Sequence, residues 1–116
     1  MARATPAQQL ARYDDRYRAL AAQLANIGPI SSGSLTRRYT RCTSAGCKCR
    51  ADPPRPHGPY WQLTRKIDGK TVTRRLTPAQ ARLYRQWIAN DRRLRHTIDQ
   101  MRTIAAKAAE IRLNEV

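Results

Sequence analysis

Three cysteines and a histidine follow one another as Cys42-x4-Cys47-x-Cys49-x7-His57, and the stretch CTSAGCKC holds every thiol of the 116-residue chain. Three thiolates and one imidazole make a closed tetrahedral donor set of the kind that binds structural zinc. Gly46 lets the backbone turn tightly within the loop. Pro53, Pro54 and Pro56 stiffen the return to His57. Arg41, Lys48 and Arg50 stand beside the thiols and favour their ionised forms. The other readings of the cluster are a disulfide, a catalytic cysteine, an iron–sulfur site and inert thiols. An odd cysteine count leaves one thiol over in any disulfide scheme. No acid or second histidine stands nearby to orient a catalytic base. The spacing fits none of the usual iron–sulfur runs. Asp52 is the alternative fourth ligand to His57.

The rest of the chain explains why a metal is wanted. There is no Phe, so a core must come from Leu, Ile, Val, Tyr, Trp and many Ala. A thin core in a small domain gains from a metal or a partner subunit. The expected class is α+β in one domain. Residues 1–30 give a long N-terminal helix, 31–77 a zinc-clipped basic β region, and 78–116 a long C-terminal helix.

The tetrapeptide TPAQ marks both helix starts, at 5–8 and 77–80. Thr caps, Pro suits the first helical position, and Gln closes a capping box. In the first helix, expected from Pro6 to Ile27, the residues Leu10, Tyr13, Tyr17, Leu20, Leu24 and Ile27 step by three and four. Gly28-Pro29 ends it. In the second, expected from Pro78 to near Leu113, one row is Leu83, Trp87, Leu94, Met101 and Ala108, with Ile98, Ile104 and Ile111 beside it. At about 1.5 Å per residue the two helices measure roughly 33 and 50 Å, so they pack as an antiparallel coiled coil that leaves part of the longer seam open. Leu94, Ile98, Met101 and Ile104 are the candidate contacts to a second copy or another protein there. The alternative is a frayed Ala-rich tail.

Between the helices, SLTRRYTRC reads as a strand, and YWQLTRKI-DG-KTVTRRLT as a hairpin turning at Asp68-Gly69. A two-residue turn pairs Ile67 with Lys70, Arg65 with Val72, Leu63 with Arg74 and Trp61 with Leu76. One face then carries Trp61, Leu63, Val72 and Leu76 toward the long helix. The other carries Gln62, Thr64, Lys66, Thr71, Thr73 and Arg75. The metal would pin the strand ending at Cys42 to the hairpin opening at His57.

The chain has 23 Lys and Arg against 8 Asp and Glu, a net charge of +15. Residues 31–76 alone hold 11 basic and 2 acidic residues, so the excess sits on the strands. Arginine forks suit phosphate, and such an imbalance points to nucleic acid. Double-stranded DNA is the first reading, since a β ribbon or small sheet enters a major groove. The candidate contacts are Arg37, Arg38, Arg41, Lys48, Arg50, Thr64, Arg65, Lys66, Thr73, Arg74 and Arg75. The same register allows Arg65 and Arg74 to fall on the packed face instead. RNA is the second reading, because Tyr39, Tyr60 and Trp61 lie among arginines. An adaptor that grips a transposase-like subunit through its helices is the third. An enzyme is not expected: the chain has no carboxylate pair at useful spacing, no Gly-rich phosphate loop and no nucleophile–base pair. No apolar run is long enough to span a bilayer and no signal peptide is visible, so the expected location is cytoplasmic, on the nucleoid.

RRYTRC at 37–42, GCKC at 46–49, ADPPRPHGPYW at 51–61 and KIDGKTVTRRLTPAQ at 66–80 resemble a small bacterial family of uncharacterised proteins, a domain of unknown function often encoded near transposases. The resemblance spans about residues 33–90 and implies the ligands Cys42, Cys47, Cys49 and His57 and an association with mobile DNA. Relatives often have Gly-Lys after the first cysteine where this chain has Thr43-Ser44, a change confined to the loop.

Overall fold

The computed structural model describes residues 2–116. The elements run α1 (Pro6–Leu24), β1 (Ser34–Thr40), a 3-10 turn (Lys48–Arg50), β2 (His57–Ile67), β3 (Lys70–Leu76) and α2 (Pro78–Asn114). This is the expected α+β arrangement, two helices flanking a three-stranded antiparallel sheet in the order β1-β2-β3. The chain forms two compact units, one of Ser31–Ala89 and one of the chain up to Ile30 together with Asn90–Val116.

Both TPAQ copies start helices by the same device. Gln8 N donates to Thr5 Oγ1 and Thr5 N to Gln8 Oε1; Gln80 N donates to Thr77 Oγ1 and Thr77 N to Gln80 Oε1. Each box satisfies amides that the first helical turn leaves without partners. At the other end, α1 stops at Leu24, three residues before the expected Ile27.

In the sheet unit, Asp68 (φ 51°) and Gly69 (φ 78°) both lie in the left-handed region. Two such residues make the turn whose twist matches the strands, which fixes the register. Ile67 pairs with Lys70, Arg65 with Val72, Leu63 with Arg74 and Trp61 with Leu76, as the sequence predicts. On the other side of β2, Leu35 pairs with Leu63, Arg37 with Trp61 and Arg38 with Tyr60. Leu63 (1% exposed) and Leu76 meet Ala81 and Ile88 of α2, with Leu35, Trp61 and Tyr84 packed around them. Burial of a Leu or Ile side chain contributes about 1.5–3 kcal/mol, so this small cluster anchors the unit. Two expected core residues are outside it: Val72 is 38% and Leu83 54% exposed. The helix meets the sheet along Ala81, Tyr84 and Ile88, a row one step round from Leu83.

In the helical unit, the side chains of α1 and the later part of α2 pack antiparallel. Asp14 takes both its hydrogen bonds from Arg112 Nη2 at 2.9 Å, near the far end of α2. Asn90 Nδ2 donates to Pro29 O at 2.8 Å, at the near end. Leu20, Thr97, Ile104 and Ala108 are buried. Ile104 is thus inside the helix pair, 5% exposed, and not on an open seam. Leu94, Ile98 and Met101 are half-buried. The physical reason is that one helix serves two partners: its first turns carry the sheet, which leaves the later turns for α1. Among the described residues no helix is long and apolar enough to cross a membrane.

Candidate metal centre and basic sheet face

The four residues singled out by spacing come together. Cys42 lies two residues beyond β1, Cys47 caps the 3-10 turn, Cys49 is fully buried within it, and His57 opens β2 opposite Thr40. Their ligand atoms all lie within 4.8 Å of one another. Cys42 Sγ is 3.5 Å from Cys49 Sγ, and Cys47 Sγ is 3.1 Å from His57 Nε2. A tetrahedron built on a metal–sulfur bond of about 2.3 Å has edges of about 3.8 Å, so the group has the size of a metal's first coordination sphere. All three thiols are free. Asp52, the alternative ligand, is not in the group.

Backbone bonds hold this geometry. Cys47 N donates to Ser44 O, Arg50 N to Cys47 O, and Ala51 N and Arg55 N both to Lys48 O. Cys42 N points at Cys49 Sγ at 3.4 Å, an arrangement that favours charge on that sulfur. Arg50 Nε donates to Cys42 O at 2.8 Å, so this arginine braces the loop. His57 beside it, with the Ser44 backbone and the other two thiols, lowers the Cys42 pKa to about 6. Burial pushes the Cys49 thiol the other way. Three thiols and an imidazole so placed can hold a metal ion.

Gly58 connects the candidate ligand His57 to the sheet. Its φ is +120°, and a Cβ there would stand 2.7 Å from Arg38 O and 3.1 Å from Tyr60 N. Only glycine lets β2 approach β1 this closely directly after the ligand. A register shift between Arg38 and Thr40 marks the same place on β1.

The register divides the eleven basic and hydroxyl candidates. Residues paired across an antiparallel ladder project to the same side. Arg38, Thr64, Lys66, Thr73 and Arg75 therefore share the face opposite α2, with Thr36, Tyr60, Gln62 and Thr71. Arg37, Arg65 and Arg74 are on the α2 side, the outcome the register had allowed for the latter two. Arg65 lies over Tyr84 of α2 at 6.0 Å, and Trp61 has Arg37 at 5.6 Å and Arg85 at 5.0 Å from its ring centre. Arg41, Lys48 and Arg50 surround the cysteine loop. Sequence reasoning treated Tyr60 as a free aromatic and missed its partner: the Arg75 guanidinium is 3.3 Å from its ring centre. The signal was available, because Arg75 pairs with Gln62 and is thus a diagonal neighbour of Tyr60. Among the described residues the ion pairs are Arg95–Asp91, Arg102–Asp99 and Arg112–Asp14, all on helices, and no sheet cation is in one.

No curated protein and no solved structure matches this chain. A family model described as a domain of unknown function (DUF6788) matches residues 10–86, from the middle of α1 through the cysteine loop and hairpin into α2. The matched span takes in the metal-ligand cluster, the glycine approach and both sheet faces, and the chain belongs to this family.

Proposed function

We propose that the protein binds double-stranded DNA through the open face of its sheet, and that a structural zinc ion at Cys42, Cys47, Cys49 and His57 holds that face in shape. The carrying observation is a sheet face with Arg38, Lys66 and Arg75, flanked by Thr36, Thr64, Thr71 and Thr73, that bears no acid and no ion pair among the described residues. Unpaired cations on a flat scaffold favour phosphate, and hydroxyls add hydrogen bonds to it. Zinc suits three sulfurs and one nitrogen better than harder cations do. Four protein ligands leave no open coordination position, so the metal's role is to join the end of β1 to the start of β2. Trp61 is on the α2 side with Arg37 and Arg85 near its ring, so the open face has few aromatic rings for stacked single-stranded bases, which favours a duplex. The family resemblance suggests mobile elements as the setting.

The test is a binding titration of labelled duplex DNA and single-stranded RNA over a salt series, with metal content measured on protein purified without chelator. Zinc near one equivalent, and duplex binding that weakens steeply with salt and is lost on chelation, are expected. Arg38→Ala and Arg75→Ala should each lower the salt slope by about one unit, while Arg102→Ala on α2 leaves it unchanged. Tighter binding to the RNA, or duplex binding indifferent to chelation, overturns the reading.

A further inference from the structure

Where the sheet ends near the metal loop, a cleft of about 540 Å³ opens between Arg37, Tyr60, Trp61, Arg75, Thr77 and Gln80, with Leu76 in its lining. This volume is within the range of about 300–1,000 Å³ typical of small-ligand sites. None of its lining residues is acidic. Arg37 enters from the α2 side of β1 and Arg75 from the open face of β3, so two guanidinium groups come from opposite faces of the sheet. At the start of α2, Thr77 N and Gln80 N are bonded within the Thr77–Gln80 box and Pro78 has no N–H, so the cleft's full positive charges are those of the arginines. A second hollow of about 210 Å³ on the open face, with Arg38, Gln62 and Thr73, shares Tyr60, Trp61 and Arg75 with the cleft. The Tyr60–Arg75 stack is the wall between the two.

The chemistry that matches aromatic rings, an apolar lining and two unpaired guanidinium groups is a flat heteroaromatic ring bearing an anion. A base inside a duplex cannot present its face to such a wall; an unstacked one can. We propose that the cleft takes one unstacked nucleotide, its base against the Tyr60–Arg75 wall and its phosphate on Arg37, so that the preferred DNA is a duplex with an unpaired nucleotide at its end or within it. This rests on the DNA reading and names the structure of DNA that it selects.

The experiment compares a short blunt duplex with the same duplex carrying a one-nucleotide overhang, a 5′-phosphorylated overhang or an internal bulge. The wild type and the Arg37→Ala, Tyr60→Phe and Tyr60→Ala variants are compared, with metal content checked on each. Wild type should prefer the unpaired substrates by about tenfold, within the range of one base–aromatic stack. Arg37→Ala and Tyr60→Ala should lose that preference, with Arg37→Ala keeping blunt-duplex binding because Arg37 is on the α2 side of the sheet; Tyr60→Phe should retain the preference. A preference confined to phosphorylated ends assigns the cleft to a strand terminus, and one shared by the bulge assigns it to any unpaired nucleotide; both sustain the proposal. Equal affinity for blunt and unpaired DNA overturns the cleft and leaves the DNA reading standing. A preference that survives in Arg37→Ala and Tyr60→Ala also overturns it. Failure to bind any of the substrates refutes the DNA reading itself.

Discussion

Replacing Gly58 by alanine sets a methyl carbon 2.7 Å from the Arg38 carbonyl oxygen and 3.1 Å from the Tyr60 amide nitrogen. The oxygen is backbone, so it cannot swing aside as a side chain would. The residue must also hold a φ of +120°, where an L side chain is strained. Strain of this kind costs about 1–3 kcal/mol on its own. Relief requires β1 and β2 to part at Arg38 and Tyr60, beside His57 of the candidate metal site. The expected loss is at least about 2 kcal/mol, or a fall in Tm of about 8 °C for a chain of 116 residues. Gly46→Ala is the control, since nothing lies within 4 Å of a Cβ there and its φ is not positive. That change should be neutral or stabilise by up to about 1 kcal/mol. The assay is thermal unfolding followed by circular dichroism, with metal concentration fixed because a bound ion shifts apparent stability. Gly58→Ala within about 2 °C of wild type, or Gly46→Ala destabilised as much, would refute the close-approach argument.

Other outcomes follow from the same geometry. Thr77→Ala removes the cap of α2 and should cost about 1 kcal/mol in denaturant unfolding, while Thr77→Ser should cost much less. Leu63→Ala, at the centre of the sheet unit, should cost about 2–5 kcal/mol by the same assay. For metal-free protein, the lowered Cys42 pKa predicts alkylation by iodoacetamide with a half-maximal rate near pH 6, whereas Cys49, buried and raised, should react last. The linkage has a definite sign. A thiol lowered from 9.0 to about 6 on folding adds stability that is complete above pH 9 and lost as pH falls through about 6. Unfolding of the metal-free protein measured between these limits should show stability rising with pH, and a flat or falling profile would count against the assignment.

Much of the fold can be read in the residues because local chemistry decides it. Thr and Gln three apart bond to each other's backbone wherever a helix begins, so TPAQ predicts both starts. Asp68-Gly69 admits one short turn, and the turn then sets every pair along the hairpin. The cysteine loop is equally legible, since ligand type and spacing leave few other uses. What the residues could not disclose was division of labour along α2. One row, Leu83, Trp87, Leu94, Met101 and Ala108, with Ile98, Ile104 and Ile111 beside it, was expected to serve the whole helix, but the first turns rest on a sheet and the later ones on a helix. Each partner selects its own row, so Leu83 is exposed and Ile104 is enclosed. Val72 is likewise exposed although its alternation is correct, because alternation tells which side a residue faces and not how far the covering helix reaches. The Tyr60–Arg75 stack needed the register first, and only then became a diagonal pair.

The order β1-β2-β3 leaves β1 and β3 each with one edge unpaired by a strand among the described residues, and each carries a doublet of arginines, Arg37-Arg38 on β1 and Arg74-Arg75 on β3. Adjacent residues of a strand point to opposite faces, so each edge shows positive charge above and below. An unprotected edge is a template for a further strand, and such charge repels an identical edge that approaches it. A polyanion that neutralised these doublets would remove that repulsion, so the charge that guards each edge would depend on what is bound to it.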